Sequence, residues 1–523
     1  MTLDAHGVDR SANGGRGHAV VIGASLAGLT AARALANSMD RVTLIERDRP
    51  PHGTGRRRGV PQARHTHTLT TTAQQGLEQL FPGIGADLER AGAVRLRMPQ
   101  DMLLLGPHGW LPRFDCGLSL LSAGRDVIDA VIRERLRAEG RVDFLSAHEV
   151  VALQPDRNDT VTGVWARGRD RTSPDGRGPR RLIPADFVVD ASGSGSRAPH
   201  WLAELGYEAP RESTADARTT YVSTVFAPPV GHVADWQGLL LMASPGHPHQ
   251  GTLTPIEGGR WSVTLCWSDG RPPPADHTAL LRAAAALRHP LLHDVIEAAT
   301  PLGPLYTCTQ ADHRWRHYEK LRRFPDQFLV LGDALAALDP AHGQGMTLAI
   351  QGALVLDHLL AGHGTTVGLT YRLRRALAHR LAPAWQSSTR HLRTTTGQDA
   401  PTGLRAHLGR RHTAKIAAAA PTDPHAATLL VARLQAAGPL AAVPHPTTTA
   451  GPTTARPAPG PLDPAPSTPP SSTHGPHGPR TRRPAPRPAD PAIGVATGSA
   501  LLNPPGSSAQ WPPPAPAAKS RRT

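Results

Sequence analysis

Six residues near the start of the chain have the composition of a phosphate cradle. Gly23-Ala24-Ser25-Leu26-Ala27-Gly28 reads G-x-S-x-x-G. The first glycine permits a tight turn, and the last lets a helix pack closely on a strand. Free N–H groups at the helix start attract a pyrophosphate. Glu46 follows at the end of an apolar run, placed to accept hydrogen bonds from ribose hydroxyls. Ser25 stands where the pattern has its middle glycine, the point at which backbone comes nearest the phosphates; a small side chain fits there. Three elements must position these residues: a strand over 19–22, an Ala/Leu-rich helix over 29–36 and a second strand over 41–46. A βαβ unit that binds nothing would account for the strands and helix. It would not account for the acid at the far strand end, so the pattern points to a dinucleotide.

A second constellation lies some 300 residues later. The apolar strand 328–331 ends on Gly332-Asp333-Ala334, and a loop, Leu338-Asp339-Pro340-Ala341-His342-Gly343-Gln344-Gly345-Met346, leads into a helix over 347–360. An acid at a strand end suits a polyol, and a glycine-rich helix start suits close approach of a flat or anionic group. Together with the first turn, this reads as a long cofactor held at both ends.

With both constellations in place, the chain resembles the FAD-dependent monooxygenases of the p-hydroxybenzoate hydroxylase-like superfamily. The resemblance covers roughly residues 18–360, more loosely to about 440. It implies an α/β fold in which a Rossmann-like FAD-binding domain carries an inserted β-sheet substrate domain, followed by C-terminal helices. It implies that Gly23, Ser25, Ala27 and Gly28 hold the ADP part of FAD, with Glu46 and Arg47 at the ribose. Asp333 falls to the ribityl and pyrophosphate, and Pro340, Gly343, Gly345 and Met346 to the isoalloxazine. Gly124-Arg125 resembles the helix start whose arginine contacts FAD. Two further segments narrow the subgroup. Arg57-Arg58-Gly59-Val60-Pro61-Gln62-Ala63-Arg64-His65-Thr66-His67 resembles an R-x-G-V-P-Q-x-x-H-x-H loop, and Asp190-Ala191-Ser192-Gly193-Ser194-Gly195-Ser196-Arg197 a D-A-[ST]-G-x-G-S-R segment. With Pro255-Ile256-Glu257-Gly258-Gly259-Arg260-Trp261, they look most like actinobacterial polyether epoxidases.

That likeness implies NAD(P)H as electron donor, direct or through a separate flavin reductase, with O2 and an apolar small molecule as the other reactants. No catalytic base stands out, which leans towards epoxidation of a polyketide-type alkene. The alternatives are an aromatic hydroxylase on the same scaffold, an oxygen-independent flavin dehydrogenase or reductase, and a flavin-binding protein without turnover.

Composition bounds the rest. The 523 residues allow two or three domains. The expected organisation is a leader over 1–17, FAD-binding parts over 18–205 and 326–362, and a substrate sheet over 206–325. A helical region over 363–443 and a Pro/Ala/Arg-rich disordered tail over 444–523 complete it. Net charge is +15, but from Ala441 onward eight Arg and Lys face two Asp, so +6 of it lies in the tail. The remainder requires no nucleic acid. Cys116, Cys266 and Cys308 form no metal or redox motif, which with the polar N-terminus suggests the cytoplasm. No run approaches the roughly 20 apolar residues of a membrane span.

Other segments read more plainly. Gly193 to Ala198 matches a second G-x-G-x-x-A, but only a short helix over 198–206 follows, so a turn beneath the first domain is expected. His65 and His67 lack further metal ligands in sequence and read as lining the flavin cleft, with covalent flavin attachment as the alternative. Asp339 and His342 read as loop structure, and Trp236, Trp261 and Trp267 as core. No Ser-His-Asp elbow occurs, and no W-x-W segment of the flavin halogenases.

Overall fold

The computed structural model describes residues 17–435, apart from positions 50, 52, 56–58, 170–176, 245, 268, 339–342 and 397–403. Pro340, Asp339 and His342, nearly all of the leader, and the tail lie outside the described residues.

A five-stranded sheet carries the first domain. Its strands β1 (His18–Ile22), β2 (Arg41–Glu46), β8 (Val142–Ser146), β12 (Phe187–Asp190) and β19 (Phe328–Val330) run in the order β19-β12-β1-β2-β8. All neighbours are parallel. Parallel strands are buried on both faces, which is why β1, β12 and β19 are nearly continuous apolar runs. One face packs on α1 (Leu26–Ser38), α4 (Arg125–Glu139) and α8 (Gln344–His363), with α2 (Thr71–Leu80), α3 (Ile84–Arg90) and α9 (Leu369–Thr396) around them. The other face meets the antiparallel strands β9 (His148–Pro155), β10 (Val161–Arg169) and β11 (Arg177–Pro184), and α5 (Ala198–Glu204). The chain leaves α5 into an antiparallel strand, so Gly193 begins no second nucleotide-binding unit.

The second sheet has nine strands. Along its main path it runs β20 (Ala336–Ala337), β18 (Tyr306–Arg316), β13 (Glu212–Ala227), β16 (Arg260–Trp267), β15 (Gln250–Ile256), β14 (Gly238–Leu241), β5 (Met102–Gly106) and β6 (Gly109–Trp110). Strand β17 (Thr300–Pro301) pairs with β13 at its side. The sheet thus draws β5, β6 and β20 from outside 206–325. Its outer face buries Val222, Phe226, Trp261, Val263, Leu265 and Trp267 under α6 (His277–Ala285) and α7 (Leu291–Glu297). Trp261 and Trp267 are core residues, and Trp236 packs at the edge of the same cluster. A small sheet of β3 (Thr68–Thr70), β7 (Asp115–Ser122) and β4 (Val94–Pro99) bridges the two large ones. Helices α10 (Leu404–Ala419) and α11 (Pro424–Gln435) close over its apolar side.

Helix α8, with mean hydropathy 1.3, is the one described helix long and apolar enough to cross a membrane, contrary to the expectation that no run approaches such a length. Its Ile350, Ala353, Leu356 and Leu360 are buried in the first domain's core, which is what makes it apolar.

Candidate cofactor site

The first turn is built as its residue types require. Gly23 leaves β1 at φ +95°, and its N–H donates to the Ile45 carbonyl at 2.8 Å. A β-carbon there would stand 2.6 Å from the Ala191 carbonyl oxygen, and one on Gly28 would stand 1.8 Å from that of Gly23. No side chain fits at either position. Helix α1 begins at Leu26, three residues earlier than its Ala/Leu run suggests, with Ser25 as its extended N-cap. The Ser25 side chain makes no cap hydrogen bond, which leaves the first-turn N–H groups to another acceptor. Glu46 is buried and turned to the same place. One carboxylate oxygen accepts from Ala24 N at 2.9 Å, the other from Asp48 N at 3.0 Å. Arg47 is exposed beside it.

The late motif lands on this turn. Gly332 has φ +61°, and a β-carbon on it would lie 2.6 Å from that of Ala27. Among the described residues the Asp333 carboxyl has no hydrogen bond. Burial raises its pKa above the ordinary carboxyl value, and the positive charge of Arg125 opposes the rise. Gly343, at φ +60°, is the N-cap of α8. Among the described residues nothing stands within 4 Å of a β-carbon on Gly343 or Gly345, and Met346 beside them is half-buried.

Arg125 heads α4 and is buried, its Nε donating to Asp129 at 2.8 Å. The helix start is capped from the other domain: Gly124 N donates to Glu257 at 2.8 Å, and Glu257 also pairs with Arg260 at 2.7 Å. A carboxylate at a helix N-terminus is favourable. The Pro255–Trp261 segment gives no sign of this role in sequence; the partners are too far apart in the chain to be paired by pattern. Sequence pattern also missed Arg316. That buried guanidinium donates to Glu212 at 3.0 Å, to the Ala334 carbonyl at 2.9 Å and to the Ser194 carbonyl at 3.3 Å. It ties the large sheet to both the late motif and the loop after β12. Arg314 and Arg316, two apart on β18, share a face; that spacing was the available signal.

The loop before β3 is fastened to the inner face of the large sheet. His65 Nδ1 and Ser223 Oγ are 2.8 Å apart, and Thr66 Oγ1 lies 2.8 Å from both Ser262 and Thr264 hydroxyls. Arg64 stacks on Tyr306 at 4.3 Å. His67 continues towards Arg125, whose charge it feels. Its Nδ1 is 2.8 Å from the His65 carbonyl, an acceptor only, so Nδ1 carries the proton and Nε2 a lone pair. Burial first, then Arg125, lowers its pKa to about 3. His65 is lowered too, by burial and Arg64. Among the described residues no His, Cys, Asp or Glu cluster could hold a metal. Asp190 is buried and braces its own loop, accepting from Ser192 N at 2.9 Å and from the Ser196 hydroxyl, so the 190–197 segment underpins the first turn.

The structure therefore brings Gly23, Ser25, Ala27, Gly28 and Glu46 together with Asp333, Gly343, Gly345 and Arg125. The uncapped start of α1, two carboxylates and a guanidinium, with glycines in the first turn where a side chain would not fit, suit the donors and acceptors of FAD. A family model described as FAD binding domain matches residues 17–390. "Protein Rv3254" of Mycobacterium tuberculosis is 34% identical over 392 residues, 70% of this chain and 78% of that protein. Kynurenine 3-monooxygenase of Salinispora arenicola is 26% identical over 66% of this chain and 73% of its own. Among solved structures, PqsL of Pseudomonas aeruginosa, described as a probable FAD-dependent monooxygenase, shares the fold with a TM-score of 0.53. It is 19% identical, over 71% of this chain and 94% of its own. On the geometry and these similarities together, the chain belongs to the FAD binding domain family.

Proposed function

We propose that this enzyme transfers one atom of O2 to an alkene of an apolar, polyketide-type substrate, giving an epoxide. Bound FAD supplies the redox chemistry that activates oxygen. In this reading Gly23, Ser25, Ala27 and Gly28 receive the pyrophosphate, and Glu46 with Arg47 the adenosine ribose. Arg125 and Asp333 take the ribityl and phosphate oxygens, and Pro340, Gly343, Gly345 and Met346 flank the isoalloxazine. Electrons come from NAD(P)H, directly or through a separate reductase. We place the enzyme in the cytoplasm, a reading supported by three free cysteines.

The alkene is supported by the setting of His67, whose Nδ1 is tied to the His65 carbonyl and whose ring lies within reach of the Arg125 charge. A phenol gains from a base that removes its proton, whereas an alkene needs none. His67 is held neutral with a pKa of about 3, far too weak a base to draw a proton from a phenol. The second reading, an aromatic hydroxylase, is favoured by the similarity to kynurenine 3-monooxygenase.

The test is turnover under labelled oxygen, with NADH or NADPH, on linear polyenes and on phenols. Epoxide carrying a single labelled atom is expected. Labelled phenolic product would move the assignment to the second reading. Hydrogen peroxide equal to the NAD(P)H consumed, with unlabelled product, would reject oxygen transfer for these substrates.

A further inference from the structure

The five-stranded sheet has two ends, and the cofactor cradle uses only one. Gly23, Asp190 and Gly332 all lie at or just past the C-terminal ends of β1, β12 and β19. At the opposite end, before β19, lies a cleft of about 290 Å³. Arg322, Arg323, Phe324 and Asp326 form one wall, the start of α9 with Thr370, Tyr371 and Arg374 another, and Asp159 the rim.

The charges in this cleft are unevenly matched. Asp159 is already satisfied, accepting from Arg323 at 3.0 Å and from the Tyr207 hydroxyl at 3.0 Å. Asp326 accepts from Gly368 N at 3.4 Å. Arg322 is exposed and has no ion pair among the described residues. Arg374 is only 9% exposed, yet among the described residues no carboxylate lies within ion-pair distance of it, and Asp326 and Glu319 act on its charge only from farther away. One terminal nitrogen donates to the Tyr318 carbonyl, the guanidinium lies 4.3 Å over the Phe324 ring, and Nε has no hydrogen-bond partner. A buried cation paired with no carboxylate at contact distance is costly, and an unsatisfied buried donor adds to that cost. Helix α9 begins at the same place, and its first-turn N–H groups add positive potential.

We propose that this cleft binds a compact oxyanion, a carboxylate or a phosphate group, through Arg374 at its floor and Arg322 at its rim. The guanidinium charge suits an oxyanion, and Phe324 and Tyr371 give an apolar flank to whatever carries the anion. The site lies across the sheet from the cofactor cradle, so its occupant takes no part in oxygen transfer. It acts on the stability of β19 and α9.

The experiment uses the full-length, flavin-loaded protein. Thermal unfolding and titration calorimetry are run with sodium phosphate and with sodium benzoate, at ionic strength held constant with sodium chloride. A saturable heat and a rise in Tm of about 3 °C are expected for at least one anion. Phosphate alone identifies a phosphate ligand, and benzoate alone a carboxylate. Arg374→Gln should abolish the heat. Arg322→Glu, at an exposed position that cannot unfold the core, should weaken binding at least tenfold and leave flavin absorbance unchanged. No heat beyond the chloride control for either anion, or full binding in Arg322→Glu, would overturn the proposal.

Discussion

Gly332 and Ala27, some 300 residues apart in the chain, approach so closely that no β-carbon fits between them. One built on Gly332 would lie 2.6 Å from that of Ala27. The contact joins the turn after β1 to the strand end of β19, and so fixes the distance between the two halves of the cofactor cradle.

Gly332→Ala should therefore act on the cradle before it acts on the fold. The new methyl meets Ala27, and the backbone sits at φ +61°, where an L-residue costs about 1–2 kcal/mol. We expect Tm to fall by a few degrees and bound flavin to drop by most of its amount. Absorbance near ~450 nm relative to 280 nm, an expectation of flavin chemistry, reads the second effect. Full flavin content would show that the two motifs do not hold one ligand.

Ser25 offers a gentler test of the first turn. Its side chain caps nothing, so Ser25→Gly removes no hydrogen bond and should retain FAD. Ser25→Leu should lose it by crowding the pyrophosphate. Equal flavin retention in both variants would remove Ser25 from the cofactor's surroundings.

Asp333 carries a carboxyl that is partly buried and not hydrogen-bonded among the described residues. Asp333→Asn relieves the desolvation of a charge and should stabilise the flavin-free protein by about 1 kcal/mol. The same change removes a charged acceptor and should weaken FAD binding about tenfold. Urea unfolding of the flavin-free protein and fluorescence titration with FAD measure the two separately. A variant destabilised in both would mean that Asp333 serves the fold.

His67 predicts the acid limb of stability. Its folded pKa, about 3, lies below the unfolded value of 6.5, so the unfolded chain binds the extra proton first. The stabilisation is complete above pH 6.5 and is lost as pH falls towards 3, at up to about 1.4 kcal/mol per pH unit. His65 and His18 are lowered as well and add to the slope in the same direction. Urea midpoints between pH 7.5 and 5 should decline, and His67→Gln should flatten the decline by up to one proton's worth. An unchanged slope would show that His67 titrates normally.

How much of this was legible in advance depended on chain separation. Strand β2 ends at Glu46 as read, because a short apolar run bounded by polar residues states its own limits. The late motif was legible because glycine and acid types are restrictive at a strand end. Glu257 capping Gly124 was not, since neither residue type demands the other. The recruitment of β5 beside β14 was hidden for a related reason. Parallel pairing has no local turn to announce it, and both segments are leucine runs that would read as core in any neighbourhood. The inner face of the large sheet holds a further contact that the strand pattern did not announce. Its Ser223, Ser262 and Thr264 hydroxyls anchor the His65–Thr66 loop, a use that only the strand register reveals.

Helix α8 has a consequence for the living level of the protein. Its first turn opens on the cofactor cradle, while its remaining turns form the centre of the apolar core. A ligand held at that first turn is therefore held by the core itself. The folded population should rise with free flavin as RT ln(1 + [L]/Kd), about 2.7 kcal/mol at a hundredfold excess over Kd. Cells short of FAD would then lose the polypeptide by degradation as well as its activity, and abundance would report the supply of the vitamin-derived cofactor.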